Sequence, residues 1–162
     1  MKIKIIDFQK VTTYYKNYRD GISKIDERKD EIIRELEPLK KKMNDLIRES
    51  QSGLSLSNKT EEQRVIEFQQ LQNEAMNKNS IYDAELKEMS AELNDKTFDE
   101  LSDIIEKWSI ENDIDLVISN MEVVYTKESN DGTEDLLNIL KEMNLYLEDD
   151  VTEENSIEGK VL

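Results

Sequence analysis

Ten apolar or aromatic residues, Val11, Tyr15, Tyr18, Ile22, Ile25, Ile32, Leu36, Leu39, Met43 and Leu46, recur at alternating spacings of four and three. Only Lys29 interrupts the series, at the position skipped between Ile25 and Ile32. A repeat of 3.5 residues held this long requires a helix that packs along its length on another helix. At roughly 1.5 Å per residue the helix, placed over 11–50, is ~58 Å long. Pro38 lies off the seam; because the phase continues beyond it, it should kink the helix rather than end it.

The partner helix is also in the chain. "SQSGLSLSNKT" (50–60) gathers Ser, Gly and Asn and reads as a loop. After Thr60 the seam resumes with Phe68, Leu71, Ala75, Tyr82, Leu86, Met89 and Leu93, carrying Asn79 as a polar member. Helices over 11–50 and 61–95 joined by a short loop make an antiparallel hairpin. Lys29 and Asn79 are the polar seam positions expected to set its register. The phase slips at "NDKTFDELSDIIEKW". There Thr97 and Glu100 have capping-box spacing, which suggests a bend or a new helix over 98–111 with Phe98, Leu101, Ile104, Ile105 and Trp108 on its apolar face.

The ends of the chain read differently. "KIKIID" alternates with period two, a half-buried strand over 2–7. "DLVIS" and "VVYT", separated by "NME", read as a β-hairpin over 114–127. Ile114, Leu116 and Ile118 share one face of its first strand, and Val123 and Tyr125 one face of its second. A lone hairpin is marginal in water, so its partner strands must come from the N-terminus or from another copy of the chain. Asn130-Asp131-Gly132 reads as a turn, with Thr133 as the cap of a last helix (133–147) that buries Leu136, Leu137, Leu140 and Met143. Residues 148–162 form an acidic tail without sustained period. The fold class is therefore α+β and mostly α, in one domain over 1–147: a long antiparallel helical hairpin on a small β body.

Charge and composition narrow the function. The chain of 162 residues carries a net charge of −16. Residues 1–59 sum to +4 and residues 60–162 to −20. That balance repels nucleic acid and anionic membrane. The absence of His and Cys removes most transition-metal sites, thiol chemistry and imidazole acid–base catalysis. "KESNDGTED" fails as a calcium loop, because placing Gly132 at the sixth position puts Lys127 at the first ligand position. No phosphate loop or nucleophile elbow occurs. No enzyme activity, metal or cofactor is expected. Tyr14 and Tyr18, with Leu54 and Leu56 in the loop, are candidate partner contacts, although packing within the chain is the preferred reading of all four.

Two segments carry a resemblance to a known family. "IKIIDFQKV" (3–11) resembles the strand-to-helix entry of the Skp/OmpH family of periplasmic chaperones through Ile6, Asp7, Lys10 and Val11. "DLVISNMEVVYTKESNDGTEDLL" (115–137) is similar to the family's closing segment through Asp115-Leu116-Val117-Ile118, Val123-Val124-Tyr125, Ser129, Asp131 and Thr133. The resemblance implies a homotrimer in which strands of three chains close a β-barrel body and three helical hairpins hang from it as tentacles. It also implies an ATP-independent holdase that encloses unfolded protein clients between those tentacles. Ile3, Ile5, Leu116, Ile118, Val123 and Tyr125 would then build the oligomer interface. Family members are typically basic, with positive tentacle tips, whereas this chain is acidic. Basic clients and no membrane contact are therefore expected. The alternative is a structural or adaptor protein, such as a phage virion component, that uses the same fold as a spacer. The sequence leaves the compartment open: cytoplasm or virion if the N-terminus is native, periplasm if a signal peptide has been removed.

Overall fold

In the computed structural model the described residues are 1–53 and 59–148. The elements are β1 (Ile3–Ile6), α1 (Phe8–Tyr14), α2 (Lys16–Ser52), α3 (Glu61–Glu111), β2 (Leu116–Ser119) and α4 (Thr133–Glu142). They form two compact units, Met1–Gly21 with Leu93–Leu162, and Ile22–Glu92. Leu54, Leu56 and residues 149–162 lie outside the described residues.

The first unit is organised by a parallel pairing. β1 and β2 pair with Ile3 opposite Leu116, Lys4 opposite Val117, Ile5 opposite Ile118 and Ile6 opposite Ser119. Parallel neighbours need a long crossover, and here that connection contains both long helices. Ile6, Val11, Tyr15, Leu101, Ile104, Trp108, Leu136, Leu137 and Leu140 form the buried core beside the sheet. Asp7 caps α1 by accepting the Lys10 N–H at 2.9 Å, while its own N–H donates to the Thr133 hydroxyl at 2.9 Å. Thr133 is thus the first residue of α4 and not its cap, which is Gly132. Its buried hydroxyl ties the start of α4 to the start of α1. Gly132 donates its N–H to the Ile5 carbonyl at 2.8 Å, and a Cβ there would fall 2.5 Å from the Trp108 ring.

Two local expectations change on folding. α3 runs through Thr97 without interruption to Glu111, so no separate helix begins at 98. Thr97 is buried, and Glu100 accepts the Tyr15 hydroxyl at 2.5 Å in place of a backbone cap. The second change concerns the hairpin. After β2 the chain enters a 3-10 turn at Asn120–Glu122, where the Ser119 hydroxyl accepts the Met121 N–H. Among the described residues the sheet has two strands, and residues 123–127 are not one of them. Val124 and Tyr125 face solvent. A strand exists through ladder hydrogen bonds, and the described residues offer this segment no ladder.

The second unit is the coiled part of the helical hairpin. On α2, Ile25, Ile32, Leu39 and Leu46 are buried, one per heptad. On α3, Phe68, Leu71, Ala75, Tyr82, Leu86 and Met89 are half-buried. Pro38 sits inside α2, which continues to Ser52. α3 opens with a reciprocal cap: the Thr60 N–H donates to the Gln63 side chain at 3.0 Å, and the Gln63 N–H donates to the Thr60 hydroxyl at 3.2 Å. The polar seam positions differ from expectation. Lys29 and Asn79 are exposed, and Lys29 pairs with Asp26 on its own helix. Arg28 takes their place because its planar fork can hold several carboxylates at once. Its Nε and Nη2 donate to Glu85 at 2.6 and 3.1 Å, and its Nη1 donates to Glu35 at 2.8 Å and Glu31 at 3.1 Å. The Tyr82 hydroxyl donates to Glu35 at 2.6 Å, and the guanidinium lies 5.7 Å from the Tyr82 ring centre.

The network sets the charge states of its members. The Tyr82 hydroxyl, followed by Arg28, holds the Glu35 carboxyl below its ordinary value of 4.5. Arg28 does the same to Glu85.

Replacing Gly132 with Ala should destabilise the chain by about 1–3 kcal/mol, because Trp108 is too rigid to yield to the added methyl; urea unfolding checks this. A second expectation follows from the depressed carboxyls. Their pairing stabilises the fold above pH 4.5 and is lost as pH falls through the lowered values. The stability difference between the parent protein and Glu85→Gln should therefore be widest near neutral pH and close in acid. A difference independent of pH would show that the Arg28 pairing contributes nothing.

Candidate assembly surface

Six residues were expected on the oligomer interface, and the fold brings four of them together. Ile3 opposes Leu116, and Ile5 opposes Ile118, across the two-stranded ladder. Leu116 is exposed and the other three are half-buried. Their alternation is imperfect, because Ile6 is the β1 residue that enters the core. Val123 and Tyr125 stand apart beyond the 3-10 turn, with Val123 half-buried and Tyr125 exposed.

The two edges of the sheet differ. The outer edge of β1 is partly occupied: Gly132 bonds to Ile5, the Lys4 ammonium donates to the Ser129 carbonyl at 3.0 Å, and Ile5 forms a bridge with Asp131. Among the described residues β2 has β1 as its one strand neighbour. Among the described residues its other edge carries no further strand, and an edge of that kind is a ready template for another chain. Beside β2 opens an apolar groove of about 650 Å³, lined chiefly by Phe8, Phe98, Ile105, Leu116, Val117 and Met121. Phe98 is 59% exposed and Met121 83% exposed, although Phe98 still meets Phe8 at a ring separation of 5.8 Å. Val124 and Tyr125 follow at 103% and 82%. An apolar surface of this kind next to an open strand edge suits association.

The candidate partner contacts fall out differently. Tyr14 stacks on Tyr146 at 5.2 Å with planes 6° apart, and both Tyr14 and Tyr18 pack against the core. They serve the fold of their own chain. Phe98 and Met121 were missed as surface residues. The heptad slip at Thr97 was the available signal for Phe98, since a residue that leaves a seam turns toward a different neighbour. Met121 carries no such signal, lying in the 3-10 turn after β2 where the sequence pattern predicts a hairpin loop.

Among the described residues no three His, Cys, Asp or Glu side chains converge as a metal site requires. Within "KESNDGTED" Glu128–Asn130 form a 3-10 turn and Thr133 opens α4, with Asp131 accepting the Thr133 N–H at 2.8 Å. Among the described residues no helix is long and apolar enough to cross a membrane.

Fold and surface together define a mostly helical α+β protein, a long helical hairpin with a small parallel sheet. The family model described as "Outer membrane protein (OmpH-like)" matches residues 2–140, and the chain belongs to that family. It is the Skp family, whose members are non-enzymatic chaperones that form trimers and bind protein clients. A comparison with curated proteins finds no match.

Proposed function

We propose that the chain is an ATP-independent holdase or assembly chaperone that works as a homotrimer and clasps protein clients between its helical hairpins. The observation that carries this reading is the open edge of β2 beside exposed Leu116, Met121, Val124 and Tyr125. In the trimer, residues 123–127 become a strand once a neighbouring chain supplies the ladder. Ile3, Ile5, Leu116, Ile118, Val123 and Tyr125 then line a shared barrel. Clients are bound through many shallow contacts, so affinity comes from multivalency rather than from one pocket. The net charge of −16 favours basic clients, and their capture weakens as salt screens the attraction. The same charge supports a second reading, a trimeric spacer or adaptor inside a larger particle that holds no unfolded chain.

Two measurements separate these outcomes. Light scattering during chromatography should give a mass of about 57 kDa, three chains of 19.0 kDa each. The double variant Met121→Asp/Tyr125→Asp should elute as a folded single chain, because both side chains are exposed before association. A parent protein that is itself a stable monomer would defeat the trimer. For function, an equimolar amount of trimer should suppress aggregation of a basic unfolded protein at low salt and lose that effect at high salt. Unchanged aggregation at low salt would leave the spacer reading.

A further inference from the structure

The heptad seam is continuous from Val11 through Tyr15 to Tyr18, yet the helix is broken there. α1 ends at Tyr14, Tyr15 is extended with φ −74° and ψ 116°, and α2 starts at Lys16. A break orphans the carbonyls of one helix end and the N–H groups of the next start. Both kinds are satisfied here from one place. The Lys16 N–H donates to the Leu145 carbonyl at 2.8 Å, and the Leu147 N–H donates to the Tyr14 carbonyl at 2.9 Å. Tyr15 and Tyr146 thus form an isolated antiparallel bridge.

The segment that makes this bridge is aimed by its own geometry. Asn144, at φ 56°, ends α4 in the left-handed region, and the Leu145 N–H closes back on the Leu140 carbonyl at 2.8 Å. Tyr146 then stacks on Tyr14 on one side, while the Lys141 ammonium lies 4.7 Å from its ring centre. Leu145–Leu147 come after the family-matched segment 2–140, so one side of the bridge is supplied by chain that the family model does not cover.

We infer that Leu145–Leu147 is a detachable strap: docked, it holds Tyr15 extended and keeps α1 and α2 apart; released, it lets them fuse into one helix. The alternative acceptor lies one turn back on α1. In a fused helix the Lys16 N–H turns to the Thr12 carbonyl, which now accepts the Tyr15 N–H at 3.1 Å. The β-branched and aromatic run Val11-Thr12-Thr13-Tyr14-Tyr15 has weak helix propensity, which keeps the broken form accessible. In both arrangements the Lys16 N–H has a backbone partner within the protein, and on release the Leu145 carbonyl and Leu147 N–H pass to water, so one docked segment separates the two states of the element.

The test uses the full chain with labelled tyrosine and reads the Cα secondary chemical shift of Tyr15. In the parent protein, and in a chain ending at Glu148 that keeps the strap, the shift should have the sign of extended backbone. In Leu147→Pro, which lacks the N–H donated to Tyr14, and in Tyr146→Ala, it should change to the sign of helix. Tyr15 remaining extended in both folded variants would overturn the strap. Should either variant unfold, the other decides, and a chain ending at Asn144 gives a third reading.

Discussion

The parallel ladder between β1 and β2 is the constraint on which the rest of the chain depends. Its partners, such as Ile3 and Leu116, are separated by more than a hundred residues. Parallel strands cannot be joined by a tight turn, so everything between them has to leave the sheet and return. A crossover in most folds is a single helix. Here it is α2 followed by α3, which leave as a hairpin and come back. Residues 3–6 and 116–119 are therefore brought side by side, with the long helices lying between them in the chain.

Around that ladder the core is closed by small numbers of tightly fitted groups. Gly132 lets the chain pass beneath Trp108 while bonding to Ile5, and Thr133, the first residue of α4, holds the capping residue of α1. In the coiled part, no α3 residue of the second unit is fully buried, and Arg28 gathers three carboxylates and a tyrosine ring. A thin apolar seam gives modest stabilisation by burial, so directional contacts of this kind carry more of the register. The expectation that Lys29 would do so failed on geometry: Arg28, one residue earlier, has the fork that reaches Glu85, while Lys29 meets Asp26 on its own surface.

Much of this was legible in the sequence, and the misses share a cause. The seam, the hairpin, the N-terminal strand and the family resemblance were all visible, because period and turn chemistry are local. The second strand of the proposed β-hairpin was not a property of the single chain. Val123, Val124 and Tyr125 have strand composition, but composition supplies no hydrogen-bond partner. Thr97 and Glu100 had capping spacing, yet the helix runs on, and Tyr15 claims the carboxylate instead. The break at Tyr15 was likewise invisible, since the heptad pattern crosses it unchanged.

The sequence by itself determined that the chain is an acidic helical hairpin framed by short strands, because helical period, charge and turn residues are written in neighbouring positions. Tertiary structure alone decided which strand meets which, that among the described residues β2 is left with an open edge, and that the helix breaks where Leu145–Leu147 docks. Those outcomes rest on backbone groups finding partners far along the chain, and a backbone group has no letter in the sequence.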